Sequence, residues 1–192
     1  MVRVGAEGSG VVERVGEGVT SLKEQDRVVC LAIGMHASVV HIKASACRQI
    51  SDSMSLVEAA SLPVTHCMAF NAFVRIARLE TDHTLGIRKT VLIYAAAGGL
   101  GQVAIQYAQH FGMEIFATVG STEKPPDGPA GVDLILNSLS GEMLRQTWQC
   151  LAPGVTFIEV GKAVVESVRP PGNEVGATYT VFDVEHIIRG DD

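Results

Sequence analysis

Thr90-Val-Leu-Ile-Tyr-Ala-Ala-Ala-Gly-Gly-Leu-Gly-Gln-Val-Ala-Ile-Gln-Tyr-Ala-Gln-His-Phe-Gly112 decides how this chain of 192 residues is read. Thr90 to Tyr94 carries no charge and is rich in β-branched residues, as suits a central parallel strand covered on both faces. The turn Ala96-x-Gly98-x-x-Gly101 keeps the spacing of a glycine fingerprint, with alanine in its first position. Small residues there let the backbone turn tightly and approach a pyrophosphate, and Gly101 lets the following helix lie close against the strand. From Leu100 to about Phe111, the residues Val103, Ala104, Tyr107, Ala108 and Phe111 recur on one helical face. The amino end of that helix offers N–H groups to phosphate. Strand, fingerprint and helix in register predict a dinucleotide site on an α/β fold.

The next strand bears on which dinucleotide. Met113 to Val119 reads as the second strand, and its end lies about 20 residues beyond the fingerprint, where an NAD-selective site carries an acid for the ribose 2′-hydroxyl. Here the chain reads Gly120-Ser-Thr-Glu-Lys124. Glycine and hydroxyls followed by a lysine suit a 2′-phosphate, so NADPH is expected rather than NADH, with Ser121 and Lys124 beside the phosphate.

Outward from this unit, the pattern changes character on each side. Residues 1 to about 50 read as short strands and turns: Gly10 to Val15 alternates, Gly16-Glu-Gly18 turns, and Asp26 to Leu31 and Ala37 to Ile42 read as further strands. Ser55-Leu-Val-Glu58 resembles a capping box, and Pro63 opens a helix whose expected apolar stripe is Cys67, Phe70, Val74 and Ala77. After the second strand, Val132 to Asn137 reads as a third strand, Gly141 to Leu151 as a helix and Thr156 to Val160 as a fourth strand. A β-rich piece therefore precedes alternating β and α elements, which predicts a parallel sheet with helices on both faces.

Composition excludes several classes of function. With 47% hydrophobic residues the chain can bury a sizeable core, and at about 150 residues per domain it amounts to one domain plus a fragment. A net charge of −6, no basic cluster and 5% aromatic residues argue against a nucleic-acid surface or a polybasic membrane patch. No apolar run reaches the roughly 18 residues of a membrane span, and the start lacks a signal-peptide pattern, so a cytoplasmic protein is expected. Cys30, Cys47, Cys67 and Cys150 show no paired spacing that announces a disulfide framework or a metal clip. His66 and Cys67 are adjacent, and adjacent side chains on a helix point about 100° apart, so no metal site is expected.

Several motifs in one order carry a resemblance over nearly the whole chain. They are Gly8-Ser-Gly-Val-Val-Glu-Arg-Val-Gly-Glu-Gly-Val19, Asp26-Arg-Val28, Glu58-Ala-Ala-Ser-Leu-Pro63 and Ala95-Ala-Ala-Gly-Gly-Leu-Gly-Gln102, followed by Thr118-Val-Gly-Ser-Thr-Glu-Lys124, Val132-Asp-Leu-Ile-Leu-Asn-Ser-Leu139, Cys150-Leu-Ala152 and Ile158-Glu-Val-Gly-Lys162. The chain resembles the enoyl reductase domain of reducing polyketide synthases of the iterative fungal type. That domain belongs to the zinc-free, quinone-oxidoreductase-like branch of the medium-chain dehydrogenases. The resemblance implies a Rossmann-like parallel sheet and a GroES-like β-rich piece. It also implies transfer of hydride from NADPH to the β-carbon of an enoyl thioester held on an acyl carrier protein, with a proton then added at the α-carbon. Gly98, Gly99, Leu100, Gly101 and Gln102 would hold the pyrophosphate, Ser121 and Lys124 the 2′-phosphate, and Asn137, Ser138 and Leu139 the nicotinamide side. Lys162, after Gly161, corresponds to a suggested proton donor, and Asp183 to its acidic companion; a cation near a developing enolate stabilises charge and supplies a proton. Other polyketide synthase domains are the implied partners, and related domains commonly pair as homodimers.

The departures from the family define the expected domains. Residues 1–62 read as part of a truncated catalytic β-domain and 63–192 as the NADPH-binding domain, the chain starting inside the first and stopping before its closing helix and strands. Between Lys124 and Val132 only Pro-Pro-Asp-Gly-Pro-Ala-Gly intervenes, so a helix–strand unit near 125–131 is expected to be missing. Met68 stands where the family has a threonine. These losses leave two alternatives beside the polyketide reading: a truncated, inactive enoyl reductase remnant, and a stand-alone quinone or enone reductase.

Overall fold

The computed structural model describes residues 4–80, 89–119, 131–138, 147, 151–161 and 176–189. It divides into two compact units, Met1–Cys67 with Val184–Asp192, and Met68–Asp183.

The first unit is built on three antiparallel strands, β1 (Glu7–Val11), β2 (Arg27–Leu31) and β3 (Cys47–Gln49), in the order β1-β2-β3. Alternation along β2 buries Val28 and Cys30, which form a small core with Cys47. The Arg27 guanidinium donates to the carbonyls of Ser51, Asp52 and Met54 at 3.1, 3.1 and 2.6 Å and so moulds the loop after β3. Ser55 caps α1 (Leu56–Ala60) as its motif predicts: Glu58 N–H donates to Ser55 Oγ at 3.1 Å and Ser55 N–H to Glu58 Oε2 at 2.9 Å. Pro63 is the first residue of α2 (Pro63–Phe70), and Glu7 accepts the Val64 N–H there at 2.8 Å. A further short helix, α4 (Val184–Arg189), belongs to this unit.

Two expectations are corrected here. Ala37 to Ile42 forms no strand; Ala37 to Val39 run as bends with Val39 exposed, and no residue of the stretch is buried, so its β-branched side chains have no sheet face to fit. The stripe Cys67, Phe70, Val74 and Ala77 is not the buried face either. α2 passes into a π-helical turn at Asn71–Ile76, whose wider winding brings Ala69, Ala72 and Phe73 to full burial and leaves Phe70 exposed. Cys30 and Cys47 are cross-strand partners with sulfurs 3.5 Å apart, and both are free thiols. Burial and its neighbour push the Cys30 thiol up to about 12.

The second unit is a parallel sheet of β4 (Thr90–Ile93), β5 (Glu114–Ala117), β6 (Val132–Asn137), β7 (Leu151–Glu159) and β8 (Thr178–Val181), in the order β5-β4-β6-β7-β8. Val91, Ile93, Leu134, Leu136 and Ile158 face one side, where α3 (Gly99–His110) packs Ala104 and Ala108 against them. Leu92, Tyr94, Ile135 and Phe157 face the other. There helical Thr147 donates its hydroxyl to Tyr94 Oη at 2.8 Å, so helical residues cover both faces. The helix expected over Gly141 to Leu151 otherwise lies outside the described residues, except that Leu151 opens β7. The strand expected at Thr156 to Val160 starts earlier, and β8 was not anticipated.

Candidate dinucleotide site

The chain leaves β4 for β5 on one side and returns to β6 on the other, so β4 and β6 flank the point where strand order reverses. Ligands of such sheets bind outside the carboxyl ends of the strands at that point. A cleft of about 200 Å³ opens there, lined by Tyr94, Ala95, Gly98, Gly99, Leu100, Gly101, Leu136 and Ser138.

The fingerprint turn is shaped by short backbone bonds. Ala95 adopts a left-handed φ of 51°, and its carbonyl accepts the Gly98 N–H at 2.8 Å. Ala96 is buried and donates its N–H to Thr118 O at 2.9 Å, joining the turn to the segment after β5. Gly98 is the N-cap of α3, whose first intrahelical bond is Gln102 N–H to Gly98 O. By helix geometry the N–H groups of Gly99, Leu100 and Gly101 have no acceptor one turn back, and they carry the positive end of the helix dipole. Gly101 permits the close approach: a Cβ there would lie 2.5 Å from Ala95 O and from Ala96 Cα. Gln102 is exposed, is not among the lining residues, and donates its amide N–H to Ala97 O at 2.8 Å. A cradle of small residues under a helix amino terminus fits a pyrophosphate.

A second polar group sits beside this cleft. Asn137 and Glu159 are register partners at the ends of β6 and β7, and both are fully buried. Asn137 Nδ2 donates to Glu159 Oε2 at 2.5 Å, and Gly161 N–H donates to Glu159 Oε1 at 2.6 Å. Burial pushes the Glu159 carboxyl above its ordinary range, against the pull of its hydrogen bonds to Asn137, Gly161 and Val160.

Of the residues expected to form the site, Gly98, Gly99, Leu100, Gly101 and Ser138 meet in one cleft. Ala96, Gln102 and Asn137 support it from outside the lining, and Gly161 follows β7. Asp183 lies two residues beyond β8, on the same rim of strand ends. Ser121, Lys124, Leu139 and Lys162 lie outside the described residues. Sequence reasoning missed Tyr94, Ala95 and Leu136 as cleft walls and gave Glu159 no role, though it stands in the Ile158-Glu-Val-Gly-Lys162 motif at the end of a largely apolar strand. Among the described residues no group of three or more His, Cys, Asp or Glu side chains is placed to hold a metal ion. No helix among them is long and apolar enough to cross a membrane.

Fold and cleft together define an α/β protein of the medium-chain dehydrogenase/reductase superfamily, with a dinucleotide fingerprint at its topological switch point. The chain is a homologue of fungal highly reducing polyketide synthases. It is 39% identical to the highly reducing polyketide synthase dmxL2 of Cryptosporiopsis sp. over 218 residues, which takes in 96% of this chain and 9% of that protein. It is 41% identical to the highly reducing polyketide synthase ZEA2 of Gibberella zeae over 186 residues, 82% of this chain and 8% of that one. The chain thus spans about a tenth of the length of these relatives. Among solved structures, CurK enoyl reductase matches 98% of this chain and 63% of its own, with a TM-score of 0.82 and 29% identity. Escherichia coli quinone oxidoreductase complexed with NADPH matches 95% of this chain and 64% of its own, with a TM-score of 0.78 and 21% identity, a likeness of fold. No model of a known protein family matches the chain. The match to dmxL2 runs over 218 aligned positions, more than the 192 residues present, so that relative carries residues inside the matched stretch that this chain lacks.

Proposed function

We propose that this chain is an NADPH-dependent enoyl reductase unit of the polyketide synthase type, acting on an α,β-unsaturated acyl thioester presented by an acyl carrier protein. The observation that carries the reading is the fingerprint cleft at the ends of β4 and β6 in a chain homologous to highly reducing polyketide synthases. NADPH, when bound, supplies the hydride for the β-carbon. Gly98 to Gln102 hold its pyrophosphate, chiefly through the N–H groups of Gly99, Leu100 and Gly101, and Ser121 and Lys124 hold its 2′-phosphate. Asn137, Ser138 and Leu139 frame the nicotinamide, while Lys162, oriented by Asp183, delivers the proton to the α-carbon. Residues 1–62 serve as part of the GroES-like catalytic domain and 63–192 as the cofactor domain. The unit works in the cytoplasm beside other polyketide synthase domains, as a homodimer.

A second reading, an inactive remnant, draws on the residues that this chain lacks relative to dmxL2. Thermal melting separates the two, since a ligand that binds only the native state raises its melting temperature. NADPH is expected to raise it more than NADH does, and NADPH to be consumed with crotonyl thioester but not with a quinone. No shift with either nucleotide supports the remnant. The reverse substrate preference points to a quinone or enone reductase, and equal NADPH and NADH binding by a Lys124→Ala variant and the parent chain would remove the 2′-phosphate assignment.

A further inference from the structure

Glu159 ends a strand whose preceding residues Val155, Phe157 and Ile158 are buried and apolar, and its own side chain is as buried as theirs. A carboxyl group in that position loses hydration that an apolar side chain of similar volume would never have had. In return it joins two chain segments, accepting the Asn137 amide from the end of β6 and the Gly161 N–H from the turn after β7. The joint is close: a Cβ on residue 161 would come within 2.8 Å of Glu159 Oε1. Both segments lie at carboxyl ends of parallel strands, where such sheets meet their ligands, and a buried polar group there is better explained by the site than by the core.

Building on the enoyl reductase reading, we propose that Glu159 is a positioning residue for hydride transfer: its carboxyl group locks the Asn137 amide and the Gly161 backbone in one geometry and so fixes the strand ends that frame the nicotinamide. Its effect passes through those two neighbours. The test compares Glu159→Leu and Glu159→Gln with the parent chain, using NADPH and crotonyl thioester. Small displacements of a reacting pair cost up to about 100-fold in rate, so Glu159→Leu is expected to lower kcat by about 10- to 100-fold while KM for NADPH changes by less than about 3-fold. Glu159→Gln keeps an oxygen for the Gly161 N–H and, with the Asn137 amide turned over so that its oxygen accepts from the new Nε2, is expected to recover most of the rate. An unchanged kcat in Glu159→Leu, or a loss confined to KM, overturns the proposal. So does failure of both variants to fold, which would assign the carboxyl group to the fold alone. A parent chain with no turnover instead removes the enoyl reductase reading itself, an outcome distinct from an active parent with an equally active Leu variant.

Discussion

Gly101 shows how one missing side chain shapes the site. Within an ordinary helix, replacing glycine by alanine gains up to about 1 kcal/mol. At Gly101 the added carbon meets backbone atoms of Ala95 and Ala96 at 2.5 Å, and backbone cannot step aside as a flexible side chain can. Gly101→Ala is therefore expected to destabilise the chain by about 1–3 kcal/mol, read as a lower thermal midpoint; a raised midpoint would show that the helix is not seated as described. Glu159 makes a prediction of the opposite kind, about pH. Its carboxyl titrates higher in the folded chain than in the unfolded one, so the native state holds the proton more tightly. Its contribution to stability is then greatest on the acid side and is lost as pH rises from the ordinary carboxylate range through the raised value. Tyr179, raised by burial and then by the charge of Glu159, acts with the same sign in its own alkaline range. Glu58, lowered by Ser55, works the other way, so the comparison must be with Glu159→Gln. Urea midpoints at pH 5 and pH 8 should fall more for the parent than for that variant. Residues of the turn were legible because glycine spacing encodes a steric need, whereas Glu159 was not, since a single acid near a strand end reads as solvent-exposed until the packing around it is known.

Elements were legible where local chemistry alone specifies them. Ser55 and Glu58 form both bonds of the capping box, and Ser55→Ala is expected to cost about 1 kcal/mol, measured by chemical denaturation. No loss would mean that α1 is held by packing rather than by its cap. Val132 to Asn137 is a strand over the span its apolar run suggests, because a strand buried on both faces needs no alternation. Ala37 to Ile42 has more β-branched residues, three against two, and makes no strand, since none of its residues is buried and strand preference expresses a fit to a pleated, half-buried surface. The stripe after Pro63 failed for a geometric reason: the π turn at Asn71–Ile76 breaks the 3.6-residue period on which the pattern rests.

For the second unit the strand order explains where stability concentrates. β4 and β6 are each paired on both sides, while β5 and β8 bound the sheet among the described residues. Amide hydrogens of Val91 to Ile93 and Leu134 to Leu136 should therefore exchange last, and those of Glu114 to Ala117 well before them; equal protection would indicate a neighbour on β5. The α/β class was legible from alternating periods, but the parallel order was not, because strand pairing depends on sites far apart in sequence. The link between β5 and β6 is residues 118–131, fourteen in all, and that brevity has a kinetic side. A segment must wander until β6 finds β4, and the entropy of closing that loop grows with its length, by about 0.6 kcal/mol for each doubling. A tether of fourteen residues keeps that cost small, and the central pair of the sheet should form early in folding.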